Sequence, residues 1–169
     1  MIFELHDPAE IDVIQTFLER ARREGKSVGL TSGSFDVFHN LHLEYLVRCE
    51  RWCDILIVGV DSDEHVRATK GPGRPLIFDA RRLAVIDNQK QVRFSCIMNS
   101  IEDFGLAAEQ LTPDWIFRND AFRGREGEIL GKEHARQGIK IIHDVVDYSS
   151  TTAILRAAAK LAAEHAPAS

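Results

Sequence analysis

Residues 54–61, Asp-Ile-Leu-Ile-Val-Gly-Val-Asp, form an unbroken apolar run closed at both ends by aspartate. A strand with one wet face alternates apolar and polar residues, whereas a short run without polar breaks belongs to a strand covered on both faces. Such a strand needs helices above and below it, and the rest of the chain supplies them. Short strand-like runs recur at residues 27–32, 92–98, 113–118 and 139–143. Between them, residues 41–53, 79–89, 101–111 and 128–137 carry helical patterns. Strands alternating with helices predict a three-layer α/β fold with a mostly parallel, five-stranded sheet and right-handed crossovers.

The flanks fit the same plan. Asp7-Pro-Ala-Glu10 predicts a helix start, with Asp7 as N-cap, Pro8 in the first helical position and Glu10 closing a capping box. Ile11, Ile14, Phe17 and Leu18 form its apolar stripe, and a mostly basic run with Gly25 ends it by Lys26. A membrane-surface role is disfavoured, because the apolar face is narrow and the polar face carries both signs of charge. Residues 62–67 predict a short helix capped by Ser62, and residues 68–75 a loop with two glycines, two prolines and two cations. Ser149-Ser-Thr-Thr152 predicts the cap of a last helix, rich in Ala and Leu, that runs to about residue 165.

Composition narrows the classes. At 169 residues, with 44% hydrophobic and 28% charged side chains, the chain suits one soluble domain with a real core. No apolar run approaches the roughly 18–20 residues a membrane span requires. Met1-Ile-Phe-Glu-Leu-His-Asp lacks the basic start and apolar run of a signal peptide, so the expected location is the cytoplasm, away from membranes. A net charge of −5 argues against a nucleic-acid partner. Cys49, Cys53 and Cys96 read as buried free thiols in a reducing compartment rather than a metal pair. No G-x-G-x-x-G follows the first strand and no G-x-x-x-x-G-K-[ST] occurs, which sets aside dinucleotide oxidoreductases and P-loop kinases.

In a sheet of this kind ligands bind beyond the carboxyl ends of the strands, and the polar motifs fall there. Thr31-Ser-Gly-Ser-Phe-Asp-Val-Phe-His-Asn-Leu-His42 is a strand-to-helix turn. Gly33 offers the backbone freedom such a turn demands, and small Ser34 allows a ligand to come close. His39 and His42, three apart at a helix start, share one side with unpaired N–H groups and the positive dipole end, a phosphate site. Phe35 suits the core, and Asp36 either orients the turn or joins the site. Lys70 and Arg74 stand in the glycine-proline loop, Arg82 (or Arg81, one register away) opens the next helix, Arg118 ends the fourth strand, and Ser150, Thr151 and Thr152 sit at the last cap.

Gly33-Ser-Phe-Asp-Val-Phe-His-Asn-Leu-His42 resembles the G-x-F-D-x-x-H-x-G-H signature of the cytidylyltransferase-like nucleotidyltransferases, above all the nucleotidyltransferase domain of ADP-heptose synthase, with glycerol-3-phosphate cytidylyltransferase as a cousin. Lys70-Gly-x-x-Arg-Pro75 and Tyr148-Ser-Ser-Thr-Thr152 are similar to that family's active-site loop and hydroxyl box. The resemblance spans roughly residues 27–156, leaving residues 1–26 as an N-terminal helix and 157–169 as a C-terminal helix and tail. It implies a Rossmann-like nucleotidyltransferase fold and a reaction joining ATP or CTP to a phosphorylated small molecule, with a sugar phosphate preferred and pyrophosphate released. Mg²⁺ would accompany the nucleotide, and family members often form homodimers. His39, His42 and Lys70 would be catalytic. Gly33, Ser34, Phe35, Asp36, Arg82, Arg118, Ser150, Thr151 and Thr152 would hold the nucleotide, and Arg74 the acceptor. No residue is expected as a protein metal ligand. Three departures stand out: Leu41 replaces the signature's second glycine, and after the fourth strand Asn119 replaces a glycine and Ala121 an aspartate, unless Asp120 takes the aspartate's place after a shift of one. They admit an alternative, a degenerate member that binds a nucleotide or a partner without turnover.

Overall fold

The computed structural model of the chain describes residues 1–119, 140–144 and 151–164. Helix α1 (Pro8–Arg23) precedes β1 (Val28–Gly33), α2 (Asn40–Glu50) and β2 (Ile55–Asp61). Then come α3 (Asp63–Lys70), α4 (Asp79–Asp87), β3 (Val92–Met98), α5 (Ile101–Leu111), β4 (Trp115–Asn119), β5 (Lys140–Asp144) and α6 (Thr151–Glu164). The five strands make one sheet in the order β3-β2-β1-β4-β5, parallel at every pairing. The α/β class and strand number match expectation. The helix expected at 128–137 lies outside the described residues.

The apolar run of residues 55–60 is buried along its whole length, as a strand covered on both faces must be. One face of the sheet packs against α1 and α5, where Ile14, Leu18, Phe104 and Leu111 meet Leu30, Ile57 and Ile116. The other packs against α2 and α4, where Leu46, Cys49, Leu83 and Ile86 meet Leu56, Val58 and Phe117. Two aspartates hold the amino end of β1. Asp54 Oδ2 accepts the Ser27 N–H at 2.8 Å, and Asp114 Oδ2 accepts the Val28 N–H at 2.8 Å. The three cysteines are buried and free, and burial pushes the Cys53 thiol up to about 12.

Local readings need three corrections. Asp7 caps α1 through the Ala9 N–H at 2.9 Å, but Glu10 closes no capping box. Its carboxylate reaches further back, to the Glu4 N–H at 2.7 Å, because the chain before the helix folds toward it. Helix α3 continues through Lys70, so the first three residues of the expected loop are helical and the break falls at Gly71, with φ 91°. Gly33 remains in β1 and does not supply the turn's unusual backbone. Phe35 and Val37 do, at φ 46° and 55°. What Gly33 supplies is room, since a Cβ there would stand 3.3 Å from the Phe35 ring.

The position of β1 at the centre of the sheet has a consequence for ligands. The chain leaves β1 for β2 and β3 on one side and returns to β4 and β5 on the other. The crevice at such a switch point is where open α/β sheets bind ligands.

The packing of α1 is directly testable. Leu18 is fully buried and Val13 is 62% exposed on the same helix. Leu18→Ala is expected to cost about 2–5 kcal/mol in urea unfolding, and Val13→Ala to stay within about 0.5 kcal/mol.

Candidate active site

A cavity of about 410 Å³ opens at the carboxyl ends of β1, β2 and β4. The sequence-predicted residues Gly33, Ser34, Phe35, His39, His42, Lys70, Arg118 and Thr151 line it, brought from the β1–α2 turn, the end of α3, β4 and the start of α6. Four distant segments therefore converge on one space.

The turn that builds the cavity's wall is strained and clamped. Val37 is β-branched, and the left-handed region is costly for such a residue. Asp36, between Phe35 and Val37, is fully buried. Its Oδ1 accepts the N–H groups of Leu76 and Ile77 at 3.0 Å each, and its Oδ2 accepts Arg74 Nε at 2.7 Å. Burial acts to raise the Asp36 pKa, but those two N–H groups and the Arg74 guanidinium prevail and hold it below the usual carboxylate range. The Asp36 carbonyl in turn accepts the Thr151 hydroxyl at 2.9 Å, which docks the start of α6 on the same turn.

The two histidines form one stacked unit, with ring centroids 4.0 Å apart and planes 26° from parallel. Phe38 stacks on His42 from one direction, and Phe35 meets it edge-on at 5.5 Å. Burial, then His39 and Lys70, push the His42 pKa down to about 4. Burial lowers that of His39 as well. Both rings are thus neutral at pH 7. His42 Nδ1 accepts the His39 backbone N–H at 3.3 Å, so the ring proton of neutral His42 sits on Nε2. Thr151 has spent its one proton on Asp36, so its 3.4 Å contact with His39 Nε2 needs a donor there too. The pair is a set of neutral N–H donors.

Two cations serve the cavity directly. Lys70 Nζ donates to Ser34 Oγ, and burial together with Arg74 lowers its pKa. Arg118 lies on the face of Phe104, 3.4 Å from its centroid, and donates from Nη1 to Ser32 Oγ at 2.8 Å. Burial lowers its pKa to about 10, which still leaves it charged at pH 7. Beneath them Tyr45 hydrogen-bonds Thr31 at 2.6 Å, and Thr31 donates to the Phe117 carbonyl at 3.1 Å.

Other expected residues stand behind the wall. Asp36, Arg74 and Arg82 do not line the cavity. Arg82, 2% exposed, donates to the carbonyls of Ile77 and Ser34 and to Asp63 Oδ1 at 2.8 Å, while Arg81 is exposed. Asp63 and Asp79 exchange backbone N–H bonds at 2.8 and 3.1 Å, so α3 and α4 start as a clasp around Arg82. Ser150 lies outside the described residues, as do Ala121 and the side chains of Asn119 and Thr152. Leu41 is half-buried in the first turn of α2 and does not line the cavity.

The structure adds residues that motif reasoning missed: Ser32, Asp61, His65 and Ser100 also line the cavity. Asp61 had been read only as the polar end of the β2 run. Its place at a strand's carboxyl end was the available signal.

A model of the cytidylyltransferase-like family matches residues 30–156. The chain is 33% identical to the bifunctional protein HldE of Desulfatibacillum aliphaticivorans over 83% of its own length, and 33% identical to that of Campylobacter fetus over 82%. It spans 29% of the length of each. Among solved structures, the lipopolysaccharide core biosynthesis protein of Thermoplasma volcanium superposes with a TM-score of 0.61 at 26% identity, covering 74% of this chain and all of that one.

Two outcomes follow from the electrostatics. The His42 ring resonances are expected to keep their neutral positions from pH 8 to about pH 5 in NMR titration. An unfolded histidine binds protons below about 6.5, and folded His42 only below about 4. Its contribution therefore makes stability rise with pH across that window, and a midpoint above 6 would contradict the buried, neutral pair. Separately, Asp36→Asn leaves two N–H groups and the Arg74 guanidinium without their carboxylate. About 3 kcal/mol of stability is expected to go in urea unfolding.

Proposed function

The chain belongs to the cytidylyltransferase-like family, and from that premise we propose that it transfers a nucleotidyl group from ATP or CTP to the phosphate of a small molecule, a sugar phosphate, with release of pyrophosphate. One observation carries the reading. The stacked His39–His42 pair at the N-terminus of α2 faces the same cavity as Lys70, Arg118 and the first hydroxyl of α6. Two helix N-termini, neutral donors and two cations suit a chain of phosphates.

The acceptor's phosphate oxygen attacks the α-phosphorus in line. The bond from that phosphorus to the bridging oxygen breaks, pyrophosphate leaves, and no covalent enzyme intermediate forms. Catalysis then consists of positioning and of stabilising charge on the transferring group. His42 Nε2–H donates to a phosphate oxygen as charge accumulates there, and His39, its ring proton directed at the Thr151 oxygen, stacks on the His42 ring and orients it. A neutral imidazole donates in this way without holding the pyrophosphate product as tightly as a fixed cation would. Lys70, resting on Ser34, has an ammonium free to turn toward the departing phosphates. Arg118 holds its charge at the β4 end. Thr151 docks the start of α6 on the turn, so that the helix end faces the phosphates, and Ser150 and Thr152 would supply the hydroxyls. Gly33 and Phe35 shape the floor, and Asp36, Arg74 and Arg82 serve by fixing the turn on which these groups depend.

Among the described residues no cluster of three or more His, Cys, Asp or Glu side chains could cage a metal ion. That donor set suits a Mg²⁺ carried in by the triphosphate and its waters, with phosphate oxygens as the main ligands. When bound it would neutralise charge between the α- and β-phosphates.

The test is pyrophosphate release with Mg²⁺, offering ATP, CTP, GTP and UTP against sugar, glycerol and amino-alcohol phosphates. Release that needs one nucleotide and one acceptor is expected, with His42→Ala lowering it at least about 100-fold. No release from any pair would overturn the transferase reading.

A further inference from the structure

The phosphate-handling groups account for one end of the cavity and leave the other unexplained. Asp61 closes β2, Ser100 follows β3, and His65 stands in the first turn of α3; all three line the same space as His39 and His42. Asp61 is the only carboxylate among the described lining residues. It receives no hydrogen bond from a described residue, and Lys70, Arg118 and Arg82 act on it only through space. Ser100 is the N-cap residue of α5, and its hydroxyl makes no cap hydrogen bond there. Burial pushes the Asp61 carboxyl up, against the opposing pull of His65, Lys70, Arg118 and Arg82.

A carboxylate repels phosphate but accepts two hydrogen bonds from neighbouring hydroxyls. Topology says which hydroxyls. Most of the phosphate-handling groups sit at the β1–α2 turn, β4 and α6, around the switch point between β1 and β4, and Lys70 reaches in from the end of α3. Asp61 and Ser100 belong to β2 and β3, on the far side of β1. A nucleotide whose phosphates lie along His39, His42 and Thr151 leaves that side to the second substrate. We propose that Asp61, with Ser100 and His65 beside it, is a subsite for adjacent hydroxyls of the phosphorylated acceptor, so that acceptors are chosen by their hydroxyl pattern as well as their phosphate. The assignment to the acceptor rests on the transferase reading; the affinity for a diol does not.

Calorimetry of the full chain in EDTA tests this without turnover. The probes are mannose 1-phosphate against cyclohexyl phosphate, which keeps ring and phosphate but lacks hydroxyls, and ATP against 2′,3′-dideoxy-ATP. Wild type is expected to bind mannose 1-phosphate about 10-fold more tightly than cyclohexyl phosphate. Asp61→Ala should erase that gap and Asp61→Asn reduce it, with the ratio between the two nucleotides unchanged. Equal binding of the two phosphates by wild type overturns the proposal. So does a gap that survives Asp61→Ala, or survives undiminished in Asp61→Asn should the alanine variant melt early. A change confined to the two nucleotides also overturns it, by assigning Asp61 to the ribose. Absence of pyrophosphate release would sink the transferase reading alone, because the binding comparison does not depend on it.

Discussion

One fully buried carboxylate holds the working end of this molecule together. Asp36 collects Arg74 and the backbone of Leu76 and Ile77 on its side chain, and Thr151 on its carbonyl. The β1–α2 turn, the segment after α3 and the start of α6 are thereby fixed to one residue. An ionised group in such a place is tolerable only when its lone pairs are met, and here they are. The return is geometric. Phe35 and Val37 remain in backbone conformations that a free turn would abandon. In those conformations the turn delivers His39 to the N-cap of α2 and His42 one turn later, stacked and sharing a hydrogen bond.

A second layer of charge supports the first. Arg82 ties the Ser34 carbonyl to Asp63, and Asp63 and Asp79 cap each other's helices. Committing charge to structure in this way leaves Lys70, Arg118 and Asp61 as the formal charges among the described lining residues. The histidines add donors but no charge at neutral pH. On the proposed reading, a phosphate chain would meet oriented dipoles and two cations in a partly dry space, where such groups act more strongly than in water. Asp61 adds the opposite sign at the end of β2, within reach of the Lys70 and Arg118 charges.

Much of this was legible along the chain. The unbroken run at 55–60 required a covered strand, and it is buried throughout. Asp7, Ser62 and Gly25 act at helix ends as their chemistry suggests. The signature turn, the lysine of the following segment and the hydroxyl at α6 do share one cavity. Errors arose where a local pattern had a competitor. Glu10 found the Glu4 N–H in place of its own N-cap. Gly33 was needed for space against Phe35 rather than for its dihedral freedom.

The sequence by itself determined the element order, the parallel sheet and the place of the signature turn, because periodicity, caps and short motifs act between residues within a turn or two of each other. Only the tertiary structure decided which polar side chains face the ligand. Arg82 meets a partner 19 positions away in Asp63, and Arg74 one 38 positions away in Asp36. Those pairings withdraw both arginines into the frame, while Asp61, Ser100 and Arg118 come from three separate strand ends to the cavity. A cation in a loop looks the same in sequence whether its carboxylate waits behind it or its substrate waits in front. The sheet order, which brings β1 between β2 and β4, makes that choice.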